Sequence, residues 1–203
     1  MVSQRKPKFT PEEYLEMERK AEFKSEYLDG EIFAMAGARE RHNLIVVNVV
    51  TQLGTQLKGR PCRLYSNDMR VDVREHGLYS YPDIVALCSE PLWRDARRDN
   101  LLNPSLIIEV LSRSTAAYDR GEKFERYRRI DSFAEYVLIA QEKYHIEYFI
   151  RQPNNQWLLS EISGLVGKVG LASIGCDLVL ADVYDKVEVG PEDDSEPFGL
   201  ESR

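Results

Sequence analysis

The sequence predicts an α+β domain with an α/β-type core: a mixed sheet flanked by helices. Three observations carry this. A long helical stripe surrounds residue 50. Two short apolar runs, Ile84-Val85-Ala86-Leu87 and Leu106-Ile107-Ile108-Glu109-Val110-Leu111, have the length of buried strands. A series of strand-like segments closes the chain.

The elements follow in order. Thr10-Pro11-Glu12-Glu13 is a helix start, with a capping hydroxyl, proline at the first helical position and acids in the first turn; the helix runs to about Lys20. Strands Glu22 to Tyr27 and Glu31 to Ala36 flank Asp29-Gly30, a two-residue hairpin signal. A helix over Glu40 to Lys58 follows from the stripe Leu44, Val47, Val50, Leu53 and Leu57, which Ile45, Val46 and Val49 broaden; Gly59 and Pro61 end it. Strands are expected at Cys62 to Tyr65, Met69 to Arg74 and Tyr81 to Cys88, with Glu75-His76-Gly77 as the turn between the last two. Ser89 to Asn103 reads as a polar loop, Ser105 to Leu111 as a strand and Asp119 to Ile130 as a helix. Glu135 to Ala140, Tyr144 to Arg151 and Gln156 to Ile162 form the closing meander; Leu178 to Tyr184 is a last strand or a short helical turn.

The 203 residues suffice for one domain with a real core, and the 43% hydrophobic and 30% charged content is that of a soluble globular chain. No apolar stretch approaches the roughly 20 residues that span a bilayer, and no apolar signal segment follows the basic N-terminus. The default compartment is therefore the cytoplasm. Cys62, Cys88 and Cys176 lack metal-ligand spacing and read as small core hydrophobes in a reducing compartment. His42, His76 and His145 do not cluster, which argues against zinc. The net charge of −7 excludes a broad basic coat for nucleic acid. Charge is uneven, however: from Lys186 to Arg203 there are six acids and two bases. Residues 1–187 are therefore taken as a single domain, and 188–203 as an acidic, disordered tail.

The chemistry rests on Asp83 and Glu109. Each sits in or beside an apolar strand, where an unpaired carboxylate is costly. Alone, Asp83 is also readable as a turn residue after Pro82, and Glu109 as the partner of an arginine. Together on adjacent strands they form an oxygen-rich site suited to Mg2+, or Mn2+ in its place. Such an ion activates water and stabilises negative charge on a phosphate.

Pro82-Asp83-Ile84 followed by Ile108-Glu109-Val110-Leu111-Ser112 resembles the PD-(D/E)xK nuclease superfamily with its restriction-endonuclease-like fold. More closely, the chain is similar to small endonuclease-like proteins of the Uma-two type. The likeness also rests on Tyr27-Leu28-Asp29-Gly30-Glu31, His42, Asp119, Glu122-Lys123-Phe124, Tyr127, Glu135-Tyr136-Val137-Leu138-Ile139 and Leu171-Ala172-Ser173-Ile174-Gly175. It covers about residues 10 to 187. It implies a metal-dependent endonuclease acting on nucleic acid, most readily DNA, and working as a homodimer. Asp83 and Glu109 would hold the metal, and Glu31 is a further acid of the cleft. The superfamily's strand lysine, two residues after the second acid, is here Leu111. Lys123 in the next helix is its substitute, with Tyr127 four residues on and facing the same side. His42, Tyr127, Arg97 and Arg98 are candidates to contact substrate. Arg94, Arg120, Arg126, Arg128 and Arg129 are either phosphate contacts or ordinary surface charge. Two rivals remain. One is an inactive module that keeps the fold and binds nucleic acid or protein. The other is a structural homodimer joined through the apolar Tyr144 to Ile150, its acids merely balancing nearby cations.

Overall fold

A computed structural model of the chain describes residues 8–73 and 77–190. The expected turn at Glu75-His76 and the tail from 191 onward lie outside the described residues. Before that point, Val189 packs on the core and the Gly190 carbonyl accepts from Arg41 at 2.7 Å.

The chain opens with α1 (Pro11–Glu18), closed by a full capping box between Thr10 and Glu13. Strands β1 (Ser25–Leu28) and β2 (Glu31–Ala34) form the expected hairpin. Asp29 and Gly30 both take positive φ, 48° and 94°, which is why a small residue and a glycine occupy the turn. Helix α2 (Glu40–Leu57) buries Ile45, Val46, Val49, Leu53 and Leu57. Next come β3 (Arg63–Ser66), β4 (Arg70–Asp72), β5 (Leu78–Ser80), β6 (Ile84–Leu87), β7 (Asn100–Leu101) and β8 (Leu106–Leu111). After a helical segment, described with the site, the chain continues through β9 (Glu135–Ala140), β10 (His145–Arg151), β11 (Trp157–Ser163), β12 (Lys168–Leu171) and β13 (Cys176–Val179).

The strands form two larger sheets, ordered β2-β1-β5-β4-β7 and β11-β10-β9-β8-β6-β3, and the separate hairpin β12-β13. In the six-stranded sheet β8 lies parallel to β9 and antiparallel to β6. Both β8 and β9 are buried along their whole length, as expected for strands covered on two faces. Leu106, Ile108 and Val110 pack into a core with α2 and the β12-β13 hairpin. Ile107 and Leu111 face a second core built with the five-stranded sheet and the helical segment after β8. Tyr14, Leu15, Tyr27 and Tyr79 make a third, smaller core beneath α1. The mixed α+β architecture is the predicted one.

Four expectations need correction. The apolar run from Tyr81 to Cys88 is not one strand, and β4 does not turn back into it. β4 pairs instead with the unforeseen β5, and Tyr81-Pro82-Asp83 carries the chain from one sheet to the other. The polar loop at Ser89 to Asn103 contains β7, which adds to β4 in parallel. β12 was not expected, and the last segment is both β13 and a turn of helix, α5 (Leu180–Val183). Cys62 and Cys88 are not separate core hydrophobes. They are disulfide-bonded at opposite positions beyond the Arg63–Leu87 pair of β3 and β6, whereas Cys176 is free and buried as expected. β10 is hydrogen-bonded on both sides, to β9 and β11. Among the described residues no helix is long and apolar enough to cross a membrane.

Candidate active site

The β6–β8 ladder pairs Ile84 with Ile108, so Asp83 and Glu109 stand at the next opposite positions, on one face of the sheet. Each acid is tied to the other's strand. Asp83 Oδ2 accepts from the Val110 amide at 2.7 Å, and Glu109 Oε2 accepts a long bond, 3.3 Å, from the Asp83 amide. The remaining Asp83 oxygen, Oδ1, lies 3.1 Å from Nε2 of His42, in the first turn of α2. The other ring nitrogen of His42, Nδ1, is buried with no hydrogen-bond partner among the described residues.

The helical segment after β8 supplies the cation. It consists of α3 (Ala116–Tyr118), a π-helical turn (Asp119–Lys123) and α4 (Phe124–Tyr127). A π turn widens the helix locally and is frequent at functional sites. Here its first and last residues, Asp119 and Lys123, are both buried. Lys123 Nζ lies 3.0 Å from Glu109, 3.2 Å from Glu26 and 3.6 Å from Asp119. Tyr127, fully buried one turn on, donates to Glu109 Oε1 at 3.2 Å and shares a 2.8 Å hydrogen bond with Ser80.

Three carboxylates thus surround one lysine, and a fourth, Asp83, stands beside Glu109. Burial, the nearby charge of Asp119 and that of Asp83 push the Glu109 carboxyl well above the usual range, although Lys123 opposes this. Burial likewise raises Asp119, again against Lys123. Burial alone would lower the Lys123 ammonium, but Glu109, Tyr127, Glu26 and Asp119 outweigh it and hold the group well above its ordinary value. Lys123 is therefore a fixed positive charge rather than a neutral amine.

The structure brings Asp83, Glu109, Lys123, His42 and Tyr127 together. Glu31, at the turn end of the β1-β2 hairpin, makes no ion pair with this group. Glu26, earlier on β1, occupies the site instead and also accepts from the Tyr81 amide at 3.2 Å. Arg97 lines a separate groove with Glu12, Glu16 and Arg19 of α1 and the residue after it, and Arg98 follows at positive φ. Sequence reasoning missed Glu26 and Asp119 as site residues. Asp119 was legible: it lies four residues before Lys123, as Tyr127 lies four after. Glu26 had only its strand alternation, opposite in facing to Tyr27.

The arrangement sets two strand acids on one face of the sheet beside a buried lysine. Three comparisons bear on it. A model of the Uma2 family, described as "Putative restriction endonuclease", matches residues 11–178. Two uncharacterized proteins of Synechocystis are similar in sequence. Protein sll1609 is 39% identical over 155 residues, 76% of this chain and 88% of its own length. Protein slr1290 is 32% identical over 179 residues, 88% of this chain and 92% of its own. A crystal structure from Anabaena variabilis, described as "a putative nuclease belonging to DUF820", shares the fold with a TM-score of 0.73 at 18% identity. The match covers 89% of this chain and 99% of that one.

Proposed function

Because the chain belongs to the Uma2 family of restriction-endonuclease-like proteins, we propose that it is a metal-dependent nuclease cutting phosphodiester bonds, with DNA the favoured substrate. The observation that carries this is the charge imbalance of the site: Glu26, Asp83, Glu109 and Asp119 against Lys123 alone. Four acids to one lysine is three more than charge balance needs, and such a buried excess is relieved either by protons, as the raised Glu109 and Asp119 carboxyls show, or by a further cation.

The donor set fits a hard divalent ion. Among the described residues Asp83 Oδ1 has only a histidine partner, and Glu109 Oε2 only a long backbone bond, so both keep lone pairs for an oxygen-preferring metal such as magnesium. Once bound, such an ion supplies an activated water and charge stabilisation at the phosphate. The chain's own groups do the rest. His42 and the Val110 amide fix Asp83; Tyr127 fixes Glu109. Lys123, 3.0 Å from Glu109, offers positive charge to the phosphate oxygens as charge develops on them. Leu111, where the superfamily lysine would stand, is buried in the second core; the Lys123 ammonium reaches Glu109 from the helix instead.

The test is twofold. Magnesium at a hundred times its Kd adds about 2.7 kcal/mol of stability, so the melting temperature of the wild type rises and that of Asp83→Asn does not. Manganese- or magnesium-dependent nicking of plasmid and single-stranded DNA is expected, and is abolished in Asp83→Asn and Glu109→Gln. Cleavage that survives in Glu109→Gln, or an equal metal response in both proteins, refutes the reading.

A further inference from the structure

Ser112 and Arg113, in the connection between Glu109's strand and Lys123's helix, line a cavity of about 410 Å3. Around it stand Leu111 and Ala140 at the paired C-terminal ends of β8 and β9, then Ala116, Gln141 and the charged Arg113, Arg120, Glu142 and Lys143. In a chain of net charge −7, three cations and one acid around one hollow are a local reversal of sign.

Two of the cations are held in place. Arg120 grips Glu147 of β10 with Nε at 2.9 and 3.0 Å and Nη2 at 2.5 Å, and Arg113 pairs with Glu142. Lys143 is exposed and makes no ion pair among the described residues. Ser112, Ser114 and Thr115 gather their hydroxyls on the connection: Ser112 Oγ lies 3.1 Å from Ser114 Oγ and 2.9 Å from Thr115 Oγ1. The lining thus offers ammonium, guanidinium and hydroxyl donors plus small apolar surface, with no aromatic ring on which a base would stack.

We propose that this cavity is a phosphate subsite, which takes the sugar-phosphate backbone of a polynucleotide next to the bond being cut. The proposal rests on the nuclease reading above and names how the same site holds its substrate. Leu111 lies two residues beyond Glu109, about 7 Å along the strand, comparable to the step from one phosphate to the next. Arg120 is the sequence neighbour of Asp119. A backbone phosphate in the cavity thereby sets the register of the strand across Asp83 and Glu109. Because it reads phosphate and sugar only, its contribution is independent of base sequence.

Lys143→Glu is the test variant, because Lys143 is exposed and its replacement leaves the packing intact. Lys58→Ala, an exposed lysine at the end of α2, is the control. Lys143→Glu is expected to raise KM for a single-stranded oligonucleotide about tenfold, the effect of losing one charged hydrogen bond. Its kcat stays near wild type, and the salt slope of log affinity falls by about 0.7, the value of one single-strand phosphate contact. Asp83→Asn has the opposite pattern, lost kcat with KM kept. Unchanged KM and salt slope in Lys143→Glu, in a protein that still cuts, overturns the subsite and leaves the nuclease reading standing. If the wild type cuts no polynucleotide, the nuclease reading fails separately. In that case inorganic phosphate remains the probe. A phosphate-dependent rise in melting temperature lost in Lys143→Glu alone supports an anion site, and no difference between the two proteins overturns it.

Discussion

Replacing Lys123 by methionine removes the single cation of a buried acidic site while keeping most of the side chain's volume. The ammonium touches three carboxylates at 3.0, 3.2 and 3.6 Å, and its side chain is only 7% exposed. Breaking a buried pair by deleting one partner costs about 3–5 kcal/mol, because the other charge stays buried without it. Against a total stability of about 5–15 kcal/mol this is a large share. For a chain of this size it lowers the melting temperature by roughly 6–20 °C. The cost has a signature that lost packing lacks. Without Lys123, the Glu109 and Asp119 carboxyls, already raised by burial, rise further and bind protons in the folded state that the unfolded state releases. Stability of the variant therefore falls as pH rises, and the gap to wild type is wider at pH 8 than at pH 5.5. Urea denaturation at the two pH values, with and without magnesium, measures this. Magnesium narrows the gap at pH 8 by supplying the missing charge. A gap that is the same at both pH values and indifferent to magnesium would show that Lys123 contributes packing alone, and the electrostatic account of the site would be wrong.

Three other outcomes follow from the structure. In the metal-free wild type, Glu109 and Asp119 titrate above their ordinary values, so their contribution to stability is lost as pH rises upward from the ordinary 4.5 of a glutamate; a scanning calorimetry series that shows no such decline, or a decline that magnesium does not flatten, contradicts it. Glu135 is buried and accepts from the Tyr148 hydroxyl at 2.5 Å, the amides of Ala172 and Ser173 at 2.8 and 3.0 Å, and the Ser173 hydroxyl. Glu135→Gln places an N–H donor against those donors and costs about 2–3 kcal/mol by thermal denaturation, while the magnesium response of the folded protein is kept; a lost magnesium response without a loss of stability would count against this scaffolding role. The Cys62–Cys88 bridge closes a sequence separation of 26 residues, so paired Cys62→Ser and Cys88→Ser lose about 3–4 kcal/mol in the chain-entropy account; denaturation curves that coincide with wild type would show that the bond constrains nothing.

The sequence was most legible where one local rule decided the outcome. The cap at Thr10 and the hairpin turn at Asp29-Gly30 are each set by a few neighbouring residues, and each appeared as read; helix α2 also appeared, but its buried face is Ile45, Val46, Val49, Leu53 and Leu57, and Val47 of the expected stripe is exposed. Glu109 was legible because it interrupts an apolar strand buried on both faces. What was not legible depends on pairing between distant segments. Leu78 to Ser80 and Ile84 to Leu87 carry the same apolar signal but belong to different sheets, and only the partners decide which. Cys62 and Cys88 are 26 residues apart, and only the register of β3 on β6 sets them opposite one another. The π turn at Asp119–Lys123 has no composition mark; it is visible only through where it sets the two side chains. Glu26 was overlooked in favour of Glu31 because both lie on the same hairpin, and the sequence does not say which end of it meets the lysine.

The step of Tyr81-Pro82-Asp83 from one sheet to the other fixes when, and not only where, the site exists. Glu26 belongs to the five-stranded sheet, Glu109 to the six-stranded one, and Asp83 to the crossing between them. Strand β8 in turn takes β9, which is later in the chain, as its parallel neighbour. Neither sheet alone holds the constellation, and no chain shorter than about residue 140 contains the strands that enclose it. Half-made or partly opened protein therefore scatters its acids into water, where they repel nothing and bind no ion tightly. Any chemistry at this site therefore requires the two sheets to be docked on one another.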